Sequence, residues 1–393
     1  MTVISRPAFF IPTQTALRDT SAETSNVDKA SEASKVSDRL IDSVNPQRAF
    51  VIFAHGSGQS RNTKDSTIAH IASQINGNEN EDYIIVDGPA AGKPPGSYAY
   101  NDLDRTMTRK NMRETFGTIA GSSYKTAKIK AFVTGKGSEN SAATAVSNII
   151  DLKDKGGIPG TVNIIGYSRG AAVTASQIVH QLKSIFGYKL PEEESQPLKI
   201  NLFLIDPVAG GSKGKQPINK LSLNGENDNV HIKSLYALYS RDEEKQTYVP
   251  QYPKDFNISD DVKTGFCELP GRHATLGRSN TSLKDPTGSK EIPENEEGSL
   301  ASPSKLIASY AQIFLGNNGI KIQEPEDSST ISDEHDKILD DPEYKKLKQS
   351  NIKKRSNDYA FSLLLGGLKP FKPRGGDERI NNPDNFLRSL KGE

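Results

Sequence analysis

The stretch Thr161-Val-Asn-Ile-Ile-Gly-Tyr-Ser-Arg-Gly-Ala-Ala172 decides how the rest of the chain is read. Val162 to Ile165 is a short run, β-branched except at Asn163, which favours a buried strand. Gly166-Tyr167-Ser168-Arg169-Gly170 interrupts it, and Ala171, Ala172, Ala175, Ile178, Val179 and Leu182 then recur at helical spacing. Strand, sharp turn and helix with a serine at the apex make the Gly-x-Ser-x-Gly nucleophile elbow. The turn strains the serine backbone, so Gly166 and Gly170 are needed where a side chain would strike the neighbouring strand or helix. The hydroxyl of Ser168 is thereby held out at the carboxyl end of a sheet, beside a helix N-terminus. There the backbone N–H of Arg169 can meet a developing oxyanion. The competing reading is an ordinary strand-to-helix turn that carries the pattern by chance.

Working outward, 393 residues allow one large α/β domain with extensions, or two ordinary domains. Fifty Lys and Arg against 49 Asp and Glu leave a net charge of +1, which argues against nucleic acid as a partner. A hydrophobic content of 34% and a mean hydropathy of −0.60 are low for a wholly compact enzyme, so polar arms or long loops dilute an ordinary core. The single cysteine, Cys267, excludes an intrachain disulfide. The opening residues lack the basic start and apolar core of an ordinary signal peptide. No run reaches the length of a membrane span; the best candidate, Ala360 to Leu368, is far too short.

Residues 1–47 read as a polar arm with one helical candidate near Lys29 to Val44, and the first strand is expected at Ala49 to Ala54. His55-Gly-Ser-Gly-Gln59 follows, a glycine-rich loop at a strand end. It does not match a phosphate-binding Walker loop, and neither does Gly88 to Pro94. With an elbow downstream, the N–H groups of Gly58 and Gln59 are the expected oxyanion donors; the bland reading is a plain turn. A helix over Thr67 to Ile75, a strand at Tyr83 to Val86 and a strand at Lys128 to Val133 come next. The helix from Ser141 to about Asp154 is capped by Ser138 or Asn140 and stopped by Gly156-Gly157. Further strands are expected at Ile200 to Ile205, Val230 to Tyr239 and Gly265 to Leu269, and a closing helix at Leu306 to Leu315. Strands alternating with helices predict an α/β fold: a mostly parallel sheet with helices on both faces. The catalytic domain is set at 48–320, with a loop insertion at 278–304, and residues 321–393 are a charged tail or small module. Arg105, Arg109, Lys110 and Arg113 could greet anionic headgroups, although a solvated face is the plainer reading, and the lysines between Glu343 and Arg355 could dock on an acidic host protein or an anionic membrane.

An apolar strand delivers Asp206 at the same sheet edge as Ser168, where an acid partner for a catalytic histidine is needed, although Asp-Pro is also common turn chemistry. Asp242 is the rival acid, set in the charged run Arg241-Asp-Glu-Glu-Lys245. Of the six histidines, only His273 follows both Ser168 and Asp206 on a loop leaving an apolar strand. The order Ser, Asp, His is that of α/β-hydrolases, so the fold is read as α/β-hydrolase-like. No metal motif such as HExxH or CxxC occurs, and serine chemistry of this kind requires no cofactor. A second class of function stays open: an α/β-hydrolase scaffold without catalysis, used to bind a protein or lipid partner.

The sequence also resembles a bacterial α/β-hydrolase family with a Gly-Phe-Ser-Arg-Gly-Ala elbow, which includes lipase effectors of type VI secretion systems. Residues 49 to 280 carry the resemblance, in Ile165 to Ala171, Ile205-Asp-Pro-Val208, Ala237-Leu-Tyr-Ser-Arg-Asp-Glu243 and Leu269-Pro-Gly-Arg-His273. His55-Gly-Ser-Gly58 stands where the family commonly has Asp-Gly-Thr-Gly. The chain departs from the family pattern at Tyr167, usually Phe, and after His273, where Ala274-Thr-Leu-Gly-Arg278 replaces Ser-Asp-Val-Gly-Gly. The resemblance implies Ser168 as nucleophile, Asp206 as orienting acid and His273 as base. It implies a lipid or other ester as substrate. It further implies a soluble protein made in the bacterial cytoplasm and delivered by a specialised secretion system without a cleaved signal peptide.

Overall fold

The computed structural model describes residues 43–63, 66–89, 137–186, 198–209, 229–241, 250–253, 258–271, 273–277, 303–323 and 383–392, with Leu40, Ala91, Phe256, Ile331 and Asp333. The helix expected near Lys29 and the strand at Lys128 to Val133 lie almost wholly outside them. So do Asp242, both basic clusters and nearly all of the 278–304 insertion.

Among the described residues six strands form one sheet: β1 (Val44–Ala54), β2 (Tyr83–Val86), β3 (Ile158–Tyr167), β4 (Leu198–Ile205), β5 (Val230–Ser240) and β6 (Lys263–Leu269). Their order is β2-β1-β3-β4-β5-β6, and every neighbouring pair is parallel. Parallel strands need crossovers, and these place apolar helices against both faces. One face carries α2 (Ser138–Asp151), α3 (Ala175–Phe186) and the π-turn Gly170–Thr174, packed on Phe50, Ile52, Val162, Ile164 and Leu202. The other carries α1 (Thr67–Ser73), α4 (His273–Leu276), α5 (Pro303–Asn317) and α6 (Pro383–Lys391), packed on Val51, Phe53, Ile165, Phe203 and Leu238. The alternation of these side chains along each strand is the two-residue period expected of a pleated sheet covered on both sides.

The expected α/β architecture is therefore present, with differences at several boundaries. β1 starts at Val44 rather than near Ala49, because Asn45 pairs with Pro159 although the strand's polar residues give no apolar signal there. Arg48 adds to this hold by donating to the carbonyls of Lys155 (2.7 Å), Gly157 (2.9 Å) and Glu81 (2.7 Å). Neither Ser138 nor Asn140 caps α2: Gly137 occupies that position at φ 108° with no side-chain cap, a conformation other residues avoid. The last helix, α6, is docked on β6 and α5. Phe386 and Leu390 are buried there, and Phe386 meets Tyr310 and Tyr236 edge-on.

One polar row crosses this apolar interior. Asn201 donates to Asn163 Oδ1 (3.0 Å), and Ser234 donates to Asn201 Oδ1 (2.9 Å), between residues directly paired on β3, β4 and β5. Satisfied buried polar groups of this kind fix strand register, since a slip would strand them in hydrocarbon.

The strand order also locates the site. From β1 the chain moves outward to β2, then returns past β1 to β3 and runs the other way. The gap beyond the carboxyl ends of β1 and β3 is a topological switch point, the usual ligand position in open parallel sheets. The loop starting at His55 and the turn around Ser168 both open there.

Candidate active site

Ser168 follows β3 directly. It adopts φ 55°, and Asp206, which follows β4, adopts φ 41°. Only Asn80 joins them as a described non-glycine residue at positive φ, so backbone strain concentrates where these two side chains are presented. The turn is locked by hydrogen bonds: Ser168 N–H to the Ile205 carbonyl (2.9 Å), and Ala172 and Val208 N–H to the Ser168 carbonyl (2.9 and 3.2 Å). A Cβ on Gly166 would lie 2.6 Å from the Ala171 nitrogen, and one on Gly170 would lie 2.1 Å from the Ala54 carbonyl oxygen. Both glycines are thus required by close backbone approach, as the elbow pattern anticipates.

His273 begins α4, just past β6, and comes over the sheet edge to the serine. Its Nε2 is 2.9 Å from Ser168 Oγ, and its Nδ1 is 2.6 Å from Asp206 Oδ2. A carboxylate only accepts, so Nδ1 carries the proton and Nε2 is left to accept from the hydroxyl. Ser168 and His273 are 6% exposed and Asp206 is fully buried, so water competes little for these bonds. Asp206 is held from behind by Ser240, whose N–H donates to Oδ1 (3.1 Å) and whose hydroxyl donates to Oδ2 (2.8 Å). The arrangement can deprotonate a serine hydroxyl and stabilise the imidazolium that results.

The loop after β1 is ordered by bonds within itself and to the loop after β2. Gly58 N–H donates to the Pro89 carbonyl (2.8 Å) and Gln59 N–H to the Gly56 carbonyl (3.1 Å). These two N–H groups, expected to face an oxyanion, are committed to carbonyls, one in the loop after β2 and one within the loop itself; Gly56 and Ser57 supply its remaining backbone donors. Gln59 contributes otherwise, donating from its side chain to the Gly277 carbonyl (3.0 Å) at the end of α4. Arg169, 6% exposed, spans the site with its side chain: Nη1 donates to Ser57 Oγ (2.8 Å) and Nε to the Ala209 carbonyl (3.1 Å). It ties the loop after β1 to the loop after Asp206.

His55 is buried and lies 3.1 Å, through Nδ1, from Ser66 Oγ, which also accepts from Ala69 N–H at the start of α1. Burial first, and then the nearby Arg61 guanidinium, push its pKa down to about 3, so it is a neutral structural group. Burial likewise pushes the Cys267 thiol up to about 12, which leaves it un-nucleophilic. Neither belongs to the Ser168 cluster. No group of metal-ligating side chains occurs among the described residues, and no described helix is long and apolar enough to cross a membrane.

Three contributors escape a reading of the sequence alone. Ser240 lies in Ala237-Leu-Tyr-Ser-Arg-Asp-Glu243, where the carboxylates draw attention away from it. The other two are Ser57, through its bond to Arg169, and the hydroxyl of Tyr167, which donates to the His273 carbonyl (2.7 Å).

No protein-family model matches the chain, and no curated protein matches it. Among solved structures it is distantly similar to an uncharacterized protein from Pseudomonas aeruginosa, at 14% identity over 79% of this chain and a TM-score of 0.38. It is also distantly similar to the Tle1 effector bound to the VgrG spike from the type 6 secretion system, at 14% identity over 62% of this chain and a TM-score of 0.34. The matched regions cover 52% and 53% of those two chains, so this chain spans about half the length of either.

Proposed function

We propose that the protein is a serine ester hydrolase acting through Ser168, His273 and Asp206. The observation that carries this reading is the buried hydrogen-bonded line from Ser168 Oγ through the His273 ring to Asp206. Ser168 Oγ attacks the acyl carbonyl as Nε2 of His273 takes its proton, and the tetrahedral oxyanion is met by the Arg169 N–H and an N–H of the Gly56–Ser57 stretch. The proton then passes from His273 to the leaving alcohol, and an acyl-serine remains. Water deprotonated by the same imidazole attacks that ester, and Ser168 recovers its proton as the carboxylic acid departs. Asp206 remains ionised, keeping the imidazole in the productive tautomer.

The substrate class proposed is a phospholipid or related lipid ester, and the protein is proposed as a bacterial effector. Both rest on the resemblance carried by Ile165 to Ala171, Ile205 to Val208 and Leu269 to His273. The test is to incubate the protein with mixed phospholipid vesicles and follow free fatty acid, with Ser168→Ala as control. Fatty acid release that the control lacks supports the hydrolase and the lipid substrate. Cleavage of a short-chain ester without fatty acid release would refute the lipid substrate only, and neither activity in folded protein would refute the hydrolase.

A further inference from the structure

Tyr167 precedes the nucleophile, and its side chain does more than fill the core. The ring stacks on the His273 imidazole at 5.0 Å between centroids and 26° between planes. Its hydroxyl reaches past the imidazole to the same residue's main chain, donating 2.7 Å to the His273 carbonyl in a buried hydrogen bond. One side chain therefore holds the base by face and by backbone.

The seat for this ring is built by two glycines from different segments. A Cβ on Gly56, in the loop after β1, would lie 2.6 Å from Tyr167 Cδ1. A Cβ on Gly277, at the end of α4, would lie 2.2 Å from Cζ and 2.5 Å from the phenolic oxygen. Gly277 is in turn fastened by its own carbonyl, which accepts from Gln59 Nε2 (3.0 Å) and Thr67 N–H (3.2 Å). α4 is only four residues long, too short to set the position of its first residue by its own ladder. Holding Nε2 at 2.9 Å from Ser168 and Nδ1 at 2.6 Å from Asp206 therefore needs an external restraint.

We infer that Tyr167 is a positioning residue for His273, its hydroxyl clamping the main chain of the base while its face sets the tilt of the ring. The role rests on the proposed hydrolase reading, and its main-chain clamp belongs to the hydroxyl, which a phenylalanine at the same position would lack. Ser168 and its base are then aligned from one strand end, with Tyr167 reaching His273 on one side of the serine and Arg169 reaching Ser57 on the other.

The test compares wild type, Tyr167→Phe and Tyr167→Leu by hydrolysis of a short-chain chromogenic ester and by proton NMR of the His273 Nδ1–H shared with Asp206. Tyr167→Phe removes only the hydroxyl. It is expected to lower kcat about tenfold with KM unchanged, the loss of one buried hydrogen bond. It should also speed solvent exchange of the Nδ1–H several-fold. Tyr167→Leu, which also loses the stack, should lose more on both readouts while the melting temperature stays well above that of the assay. A Tyr167→Phe protein with wild-type kcat and an unchanged Nδ1–H signal overturns the inference. If the wild type cleaves no ester, the hydrolase reading fails on that arm, and the NMR comparison still decides whether Tyr167 orders His273.

Discussion

Replacing Asp206 with asparagine changes one atom, and the surroundings dictate how the new amide must turn. In the wild type Oδ1 accepts from Ser240 N–H at 3.1 Å, whereas Oδ2 accepts from the Ser240 hydroxyl at 2.8 Å and from His273 Nδ1–H at 2.6 Å. A backbone N–H cannot reverse its role, so the amide oxygen must stay on it. The amide nitrogen then faces the imidazole and donates to Nδ1, which moves the ring proton to Nε2, against the hydroxyl of Ser168. His273 is left without an acceptor for the serine proton. Flipping the amide would set its NH₂ against the Ser240 N–H and leave buried donors unsatisfied, at a cost of about 1–3 kcal/mol. The expected result is folded protein whose turnover falls on the order of 10⁴-fold, about 5 kcal/mol of transition-state stabilisation. Initial rates on a short-chain chromogenic ester, with circular dichroism as the check on folding, measure this. A loss of less than tenfold would refute the tautomer argument, and with it the choice of Asp206 over Asp242.

Three other perturbations follow from the same contacts. Ser240→Ala removes the hydroxyl that donates to the buried carboxylate at 2.8 Å and should lower kcat roughly tenfold or more with little change in KM, since hydrogen bonds to charged groups contribute about 1.5–3 kcal/mol; an unchanged kcat would show that Asp206 is oriented without it. His55 is held down at about 3 when folded but titrates near 6.5 when unfolded. The unfolded chain therefore binds the extra proton between those values, and stability should fall by about 1.4 kcal/mol per pH unit as pH drops below about 6.5. Urea unfolding of His55→Asn at pH 6.5 and pH 5 should show a shallower decline than wild type, and parallel declines would contradict this origin. Phe386→Ala should cost about 3–5 kcal/mol, because the side chain is fully buried against Tyr236 and Tyr310; a shift of the urea midpoint worth under about 1 kcal/mol would mean that α6 adds little to the core.

Much of the fold was legible because parallel strands buried on both faces read as nearly continuous apolar runs, broken here only by Asn163 and Asn201. Phe50 to Ala54, Val162 to Ile165 and Ile200 to Ile205 could hardly be anything else, and their alternation with helical segments required crossovers. Ser168 and Asp206 were readable for a related reason, since each stands where an apolar run meets a turn. What the sequence concealed lies in contacts between distant segments. Asn45 joins β1 through pairing with Pro159, which no local pattern announces, and Gly137 displaced the expected serine or asparagine cap by supplying a left-handed backbone. α6 is short and set in a charged stretch, so its apolar pair, Phe386 and Leu390, carried too little weight alone. Gly58 and Gln59 look like oxyanion donors in the sequence because glycine-rich loops expose N–H groups; their carbonyl partners, Pro89 after β2 and Gly56, are set by how the two loops fold together. Ser240 and Tyr167 act through side-chain geometry that becomes visible only once β5 and α4 are placed beside the elbow.

The central claim is that Ser168 is an activated nucleophile, and covalent labelling tests it without any assumption about substrate. Folded wild-type protein is treated with a fluorophosphonate probe, its intact mass is taken and the modified peptide is mapped. A single adduct on Ser168 is predicted, absent from Ser168→Ala and formed far more slowly in His273→Ala, since the hydroxyl and imidazole act as one unit. Wild-type protein that is folded yet unlabelled, or labelled at some other residue while Ser168 is spared, would contradict the account.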